Sequence, residues 1–172
     1  MHDLGFVSAI MADKSFEEVI SFASENSFKC VEIMCWPVGK AERRYAGVTH
    51  TNVEELDSSM VQYIQNFLKD KGVYISGLGY YPNALDPDKE TSDKAFSHLK
   101  KVIEAAAKLG IPVVNTFIGR DPQRSIEDNI KIFGEKWPSI IDFADKSGIK
   151  IGIENCPMIF TRSRLSRLPS NS

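Results

Sequence analysis

Residues 149–158 read IKIGIENCPM and join a short apolar run to a carboxylate. The run IKIGI is rich in isoleucine, as strands buried on both faces of a parallel sheet are. It ends on Glu154, and a carboxylate in that position is costly to leave buried and unpaired. Glu154 is therefore the first candidate functional residue, with a capping or salt-bridging glutamate as the alternative.

Similar apolar runs recur upstream, and segments with helical periodicity separate them. The predicted strands are residues 4–10, 30–34, 73–78, 112–118 and 149–153. The predicted helices are residues 15–25, 57–71, 92–109 and 125–146. Ser15 and Glu18 form a capping-box pattern, and Pro138 is expected to kink or divide the last helix. This alternation predicts parallel strands joined by right-handed crossovers.

Two architectures have this order of elements: an open doubly wound sheet and part of a β/α barrel. A complete eight-unit barrel takes about 31 residues per unit, so 172 residues would hold five units and a remainder. The first strand is followed by GFVSAIMADKS, which lacks the glycine-rich phosphate loop of nucleotide-binding folds. The sequence therefore favours an α/β fold with a partial (β/α)8 barrel of five parallel strands, missing the last three units.

Composition limits the partners. The formal charge is −2, with acidic and basic residues nearly balanced, so no overall field would attract nucleic acid or an anionic membrane. No apolar run approaches the roughly 20 residues that span a bilayer, and the amino terminus lacks a basic signal-peptide region. We expect a cytoplasmic protein with one domain over residues 1–160. Residues 161–172 are rich in arginine and serine and are expected to form a disordered tail.

The segment IKIGIENCPM resembles the fifth strand of the xylose isomerase-like TIM barrel superfamily, sugar-phosphate isomerase and epimerase type, which carries a Glu-Asn pair at its end. The stretches GFVSAI, VEIMCWPVGKAERRYAGVTH, ISGLGYYPNALDPD and VNTFIGRDP fall where the first four strand ends and loops of that family belong. The likeness covers about residues 4–160. It implies proton transfer next to a sugar carbonyl through an enediolate, assisted by a divalent metal such as Mn, Mg or Zn.

By this resemblance, Glu154 binds the metal and lies near the carbon that loses a proton. Family members complete the metal site with an Asp, a His and a second Glu from later strands, whereas no Asp, Glu or His follows Glu154 here. We therefore expect weak or absent metal binding and an inactive or incomplete enzyme in this shortened chain. A non-catalytic carbohydrate-binding or assembly module and a nonfunctional truncation product are the alternatives.

In β/α barrels the chemistry gathers at the carboxyl ends of the strands. Residues near those ends are therefore expected to bind a sugar or sugar phosphate: Glu32, Trp36, His50, Tyr80, Asn115 and Arg120. Tyr81 and Asp121, beside two of them, are further substrate-facing candidates. We expect Glu154 to point into the cleft with Glu32, Tyr80 and Asn115 around it. Rim packing is the alternative for the aromatic residues, and a salt bridge with Asp121 or another acidic loop residue is the alternative for Arg120.

Two further expectations concern the flanks of this fold. His98, inside the third predicted helix, should occupy a solvated or half-buried position. The first and fifth predicted strands should be exposed sheet edges that favour self-association, because the strands that would pair with them in a closed barrel are absent.

Overall fold

The structure is a computed structural model that describes residues 3–39 and 46–154. Its sheet has five parallel strands in the order β1-β2-β3-β4-β5, as predicted. The strands are β1 Gly5–Val7, β2 Cys30–Met34, β3 Tyr74–Gly79, β4 Val113–Thr116 and β5 Lys150–Ile153. The helices are α1 Phe16–Glu25, α2 Ser58–Lys71, α3 Lys89–Leu109, α4 Ile126–Lys136 and α5 Pro138–Lys146. The α/β partial-barrel prediction is therefore confirmed.

Local sequence signals fix the ends of several helices. The capping box at α1 is formed: the Glu18 N–H donates to Ser15 Oγ at 3.2 Å, and the Ser15 N–H donates to Glu18 Oε2 at 2.8 Å. Gly72 ends α2 in the left-handed region at φ 64°, which glycine adopts without steric cost. Pro138 divides the last predicted helix into α4 and α5, because its missing N–H suits the first turn of a new helix.

Two predicted boundaries were wrong by three residues each, and the other ends of the elements differ by two residues or fewer. The first strand stops at Val7 instead of residue 10, and a short 3-10 helix, Ser8–Met11, follows it. Here the buried Ser8 hydroxyl, in place of a strand carbonyl, accepts the Met34 N–H at 2.9 Å. The third helix begins at Lys89, earlier than predicted, because the Asp88 carboxylate caps it by accepting the Thr91 N–H at 2.8 Å.

The two faces of the sheet differ in chemistry. Outward side chains such as Val31, Ile33, Leu78 and Val114 are fully buried in a core shared with the helices. The inward face, the one that would line a barrel, carries glycines and the polar residues Glu32 and Asn115, together with the buried Met34. Among the described residues, no helix is long and apolar enough to cross a membrane. The predicted tail, residues 161–172, lies outside the described residues.

Candidate functional site

The candidate site lies on the inward face, at the carboxyl ends of the strands. Strand pairing aligns Glu32 with Gly77 and Asn115 with Gly152. Because side chains alternate between the faces of a strand, these residues share the inward face with Glu154, two positions beyond Gly152. The Glu154 N–H donates to the carbonyl of Thr116 at 3.0 Å, which continues the β4–β5 pairing to the site.

Glu32 is the centre of a hydrogen-bonded cluster. The Tyr81 hydroxyl donates to Glu32 Oε1 at 2.5 Å, and Asn115 Nδ2 donates to Glu32 Oε2 at 2.9 Å. Each carboxylate oxygen therefore has a donor. The Tyr81 ring packs against Phe117, with centroids 4.8 Å apart, and adds an aromatic wall to the cluster.

Three glycines make room for these side chains. A Cβ on Gly79 would lie 2.5 Å from Glu32 Oε1, and a Cβ on Gly77 would lie 2.9 Å from Asn115 Nδ2. A Cβ on Gly152 would lie 2.2 Å from Asn115 Oδ1. Real Cβ atoms do not approach heavy atoms this closely, so a side chain at any of these three positions would displace Glu32 or Asn115 from its place in the cluster.

The electrostatics of Glu32 follow from its surroundings. Burial raises the pKa of this carboxyl, and the nearby Glu154 carboxylate raises it further, while the hydrogen bonds from Tyr81 and Asn115 oppose the shift. Burial, followed by the hydrogen bond to Glu32, raises the pKa of Tyr81, which keeps its hydroxyl a donor. Glu154 itself is exposed. The cluster thus pairs a shielded carboxyl, Glu32, with an accessible one, Glu154.

Tyr80 lies on the opposite, helix-facing side of the sheet, whereas Trp36 packs both against that core and against the separate cluster of Ala9, Met34 and Val48. Tyr80 is 5% exposed, and its ring packs at 5.0 Å from Trp36 and 4.7 Å from His98. Burial raises the pKa of Tyr80 to about 12. The structure therefore places Tyr81, and not Tyr80, beside Glu32.

His98 is buried instead of solvated or half-buried. Its Nε2 lies 2.8 Å from the Cys35 carbonyl, to which it donates, and its Nδ1 lies 3.9 Å from Glu54. The expected position was wrong because this hydrogen bond satisfies the imidazole inside the core between α3 and the end of β2.

The remaining predicted residues are dispersed. Arg120 lies in the loop after β4, where its backbone N–H donates to Asn83 Oδ1 at 2.7 Å. The next residue, Asp121, forms an ion pair with Arg124 at 3.0 Å. His50 lies in a separate cavity between α1 and α2, where its Nε2 is 3.1 Å from the Met11 carbonyl.

Sequence reasoning placed both Tyr80 and Tyr81 beyond the third strand but chose Tyr80 as the tyrosine of the cleft, and the strand pairing shows why Tyr81 takes that place. The β2–β3 pairing shifts by one residue between Val31 and Glu32, so that Gly77 and Gly79 share the face of Glu32. Counting on by two from Gly79 reaches Tyr81 on that face and leaves Tyr80 on the other.

The described residues do not fit a complete metal centre. No three or more His, Cys, Asp or Glu side chains within residues 3–39 and 46–154 come together as a possible metal site. Glu32 and Glu154 are the two inward acids at this opening, and both oxygens of Glu32 already accept hydrogen bonds. Divalent cations of the Mg²⁺ type require a nearly complete shell of oxygen ligands.

Comparison with solved structures supports the architecture. A D-tagatose 3-epimerase-like protein is 20% identical with a TM-score of 0.66, over 94% of this chain and 55% of that chain. A D-psicose 3-epimerase solved with D-fructose is 17% identical with a TM-score of 0.65, over 88% and 52%. A probable 3-DHS dehydratase from Bacillus anthracis is 16% identical with a TM-score of 0.68, over 91% and 53%. At these identities the likeness shows the fold.

The chain spans little more than half the length of these structures. No curated protein sequence matches it. The family model of the xylose isomerase-like TIM barrel matches residues 20–166, which is most of the sequence. The chain belongs to the xylose isomerase-like TIM barrel family.

Proposed function

We propose that the inward cluster is part of the active site of a sugar or sugar-phosphate isomerase or epimerase. One observation carries the proposal: a shielded carboxyl, Glu32, and an exposed carboxylate, Glu154, meet with Tyr81 and Asn115 at the carboxyl ends of parallel strands. In β/α barrels this end of the strands holds the chemistry. The solved structures of similar fold include two epimerase-type proteins, one of them solved with a ketose.

The roles follow from exposure and hydrogen bonding. Glu154 is the accessible base that takes a proton from the carbon next to the sugar carbonyl. The C–H electron pair then becomes the carbon–carbon double bond of the enediolate, and the carbonyl π pair moves onto the carbonyl oxygen. The Tyr81 and Phe117 rings face the C–H surface of the sugar. Glu32 holds Tyr81 and Asn115 in place and does not itself take the proton.

The described residues supply one accessible base and a set of binding groups. We propose that this cluster catalyses proton exchange without net conversion of one sugar to another: Glu154 takes the proton, exchanges it with solvent and returns a solvent proton to the same carbon. Conversion needs further groups beyond those of the inward cluster.

Solvent exchange tests this proposal. The chain is incubated in D₂O with a panel of ketoses and ketose phosphates, with and without Mn²⁺, and deuterium at the carbon next to the carbonyl is measured by NMR. We expect exchange above the buffer rate, because a positioned base contributes about 10² or more to such a step. Glu154→Gln should return the rate to background, whereas the exposed Glu135→Gln on α4 should leave it unchanged.

Absence of Glu154-dependent exchange for every sugar would overturn the assignment of the base. Sugar binding at the cluster without any exchange would instead favour the alternative of a non-catalytic carbohydrate-binding module.

A further inference from the structure

Asn83 joins the loop after β3 to the loop after β4, next to the inward cluster. Its side-chain Oδ1 accepts the Arg120 N–H at 2.7 Å, and its Nδ2 donates to the Arg120 carbonyl at 2.9 Å. One carboxamide therefore satisfies both backbone groups of a residue 37 positions away, as a paired strand would. Nδ2 also donates to Asp86 Oδ2 at 3.1 Å, and since a carboxylate only accepts, this bond fixes the orientation of the amide. The Asn83–Arg120 pair is called the junction below.

The junction lies just beyond the aromatic wall of the inward cluster. At the ends of β3 and β4, the Tyr80 N–H donates to the Asn115 carbonyl at 3.0 Å, which continues the pairing of the two strands. Tyr81 and Phe117 follow, one on each segment, and their rings pack with centroids 4.8 Å apart. The two rings therefore lie between the strand pairing on one side and the junction on the other.

Gly119 lies inside the second of these loops, and its backbone approaches the first one closely. Its φ of 88° is in the left-handed region, which glycine adopts without steric cost. A Cβ at this position would lie 2.7 Å from the Ala84 nitrogen and 2.9 Å from Asn83 Oδ1. A side chain here would push the two loops apart, so Gly119→Ala perturbs the junction without altering the Asn83 amide.

Each loop is also anchored from the core. The buried Ser92 Oγ, in α3, donates to the Ala84 carbonyl at 2.7 Å. The indole N–H of the buried Trp137, just before α5, donates to the Ile118 carbonyl at 3.1 Å. Loss of the Asn83 amide therefore loosens the contact between the two loops and leaves in place the bonds that hold each loop to the core.

We propose that Asn83 is a positioning residue, which keeps the Tyr81 and Phe117 rings together as one wall of the inward cluster. The inference rests on the proposed function, in which these rings face the C–H surface of the sugar. The base, Glu154, follows β5, whereas the junction joins the segments that follow β3 and β4. The Asn83 amide therefore governs sugar binding at the wall and leaves proton removal by Glu154 unaffected.

Exchange of D-fructose in D₂O, measured as rate against sugar concentration, separates binding from chemistry. Asn83→Ala should raise the sugar concentration at half-maximal rate about two- to tenfold, the range for one aromatic contact, and should leave the maximal rate unchanged. Asn83→Asp loses the donor to the Arg120 carbonyl, and Gly119→Ala separates the loops, so both should shift the same constant in the same direction. Asn26→Ala removes a comparable bond, to the Phe22 carbonyl at 2.9 Å, and should alter neither constant.

NMR of the sugar-free protein tests the junction independently of any activity. Nuclear Overhauser contacts between the ring protons of Tyr81 and Phe117 should weaken in Asn83→Ala and Gly119→Ala and persist in Asn26→Ala. Ring contacts as strong in Asn83→Ala as in wild type, or a lower maximal rate with an unchanged half-maximal concentration, would overturn the proposal. If wild type shows no Glu154-dependent exchange, the proposed function fails, and the ring contacts alone decide whether Asn83 positions the two rings.

Discussion

Tyr81 and Asn115 are the two donors that keep Glu32 in place. Tyr81→Phe removes the donor to Oε1, so the pKa of Glu32 should rise further. Since a raised carboxyl pKa penalises the folded state above that pKa, the loss of stability should be about 1 kcal/mol at pH 7 and smaller below about pH 4. Side-chain ¹³C NMR titration and urea unfolding measure both quantities. Tyr63→Phe removes a hydroxyl that donates to the half-buried Glu17, far from the cluster, and should not alter the Glu32 titration.

His98 gives the opposite pH dependence. Burial lowers its pKa, partly opposed by the hydrogen bond to Cys35 and the charge of Glu54, while Lys101 adds to the lowering. The folded state therefore prefers the neutral ring, and its contribution is complete above about pH 6.5 and falls as the pH drops below that value. His98→Gln keeps an N–H donor for the Cys35 carbonyl and should reduce the fall in unfolding free energy between pH 7.5 and 5.5. A variant with the same pH dependence as wild type would contradict this account.

At the scale of elements, the inward glycines determine whether the strands can carry a polar cluster. A Cβ on Gly79 would meet Glu32 Oε1 at 2.5 Å, Met34 Sδ at 2.9 Å and Tyr81 Cε2 at 3.0 Å. Gly79→Ala should therefore cost about 1–3 kcal/mol of unfolding free energy, as overpacking does, and should perturb the Glu32 titration. The matched control is Gly134→Ala in α4, where an added Cβ meets nothing within 4 Å and should stabilise the helix by about 0.5–1 kcal/mol. A Gly79→Ala chain as stable as wild type would show that the cluster tolerates a side chain there.

The elements also show what could be predicted from the sequence. Apolar runs and caps located all five strands and the α1 capping box, because those signals are local. The identity of the inward tyrosine could not be read from the sequence, since it depends on the register shift in β2. His98 was misplaced because the carbonyl that satisfies it, on Cys35, is 63 positions away. Non-local hydrogen bonds of this kind leave no periodic signal.

At the scale of the molecule, β1 and β5 are the edge strands of the described sheet, and each is hydrogen-bonded to a neighbouring strand on one side only. Leu4 and Ile10, next to β1, are 68% and 64% exposed, and Ile153 on β5 is 44% exposed. Unprotected edges with apolar side chains favour association, so we expect light scattering to show concentration-dependent oligomers. The double variant Leu4→Lys/Ile10→Lys should reduce them. A monodisperse 19.3 kDa monomer with a single cooperative unfolding transition would contradict this expectation.

We expect the protein to bind divalent metal ions only weakly. Glu154 with Glu32 falls short of the ligand shell that Mn²⁺ or Mg²⁺ needs. Isothermal titration with Mn²⁺ should therefore show no tight site. Stoichiometric sub-micromolar binding that disappears in Glu154→Ala would show that further ligands complete the centre.

The most direct test of the central claim is to locate where a ketose binds. Titration of the isotopically labelled chain with D-fructose, followed by NMR, should shift the amides of Gly77, Gly79 and Gly152 and the Asn115 side-chain amide, all of which line the inward cluster. Glu154→Gln should weaken these shifts, and the exposed Glu135→Gln should not. Shifts confined to the α1–α2 cavity around His50, or no shifts at all at saturating sugar, would contradict the assignment of the inward cluster as the sugar site.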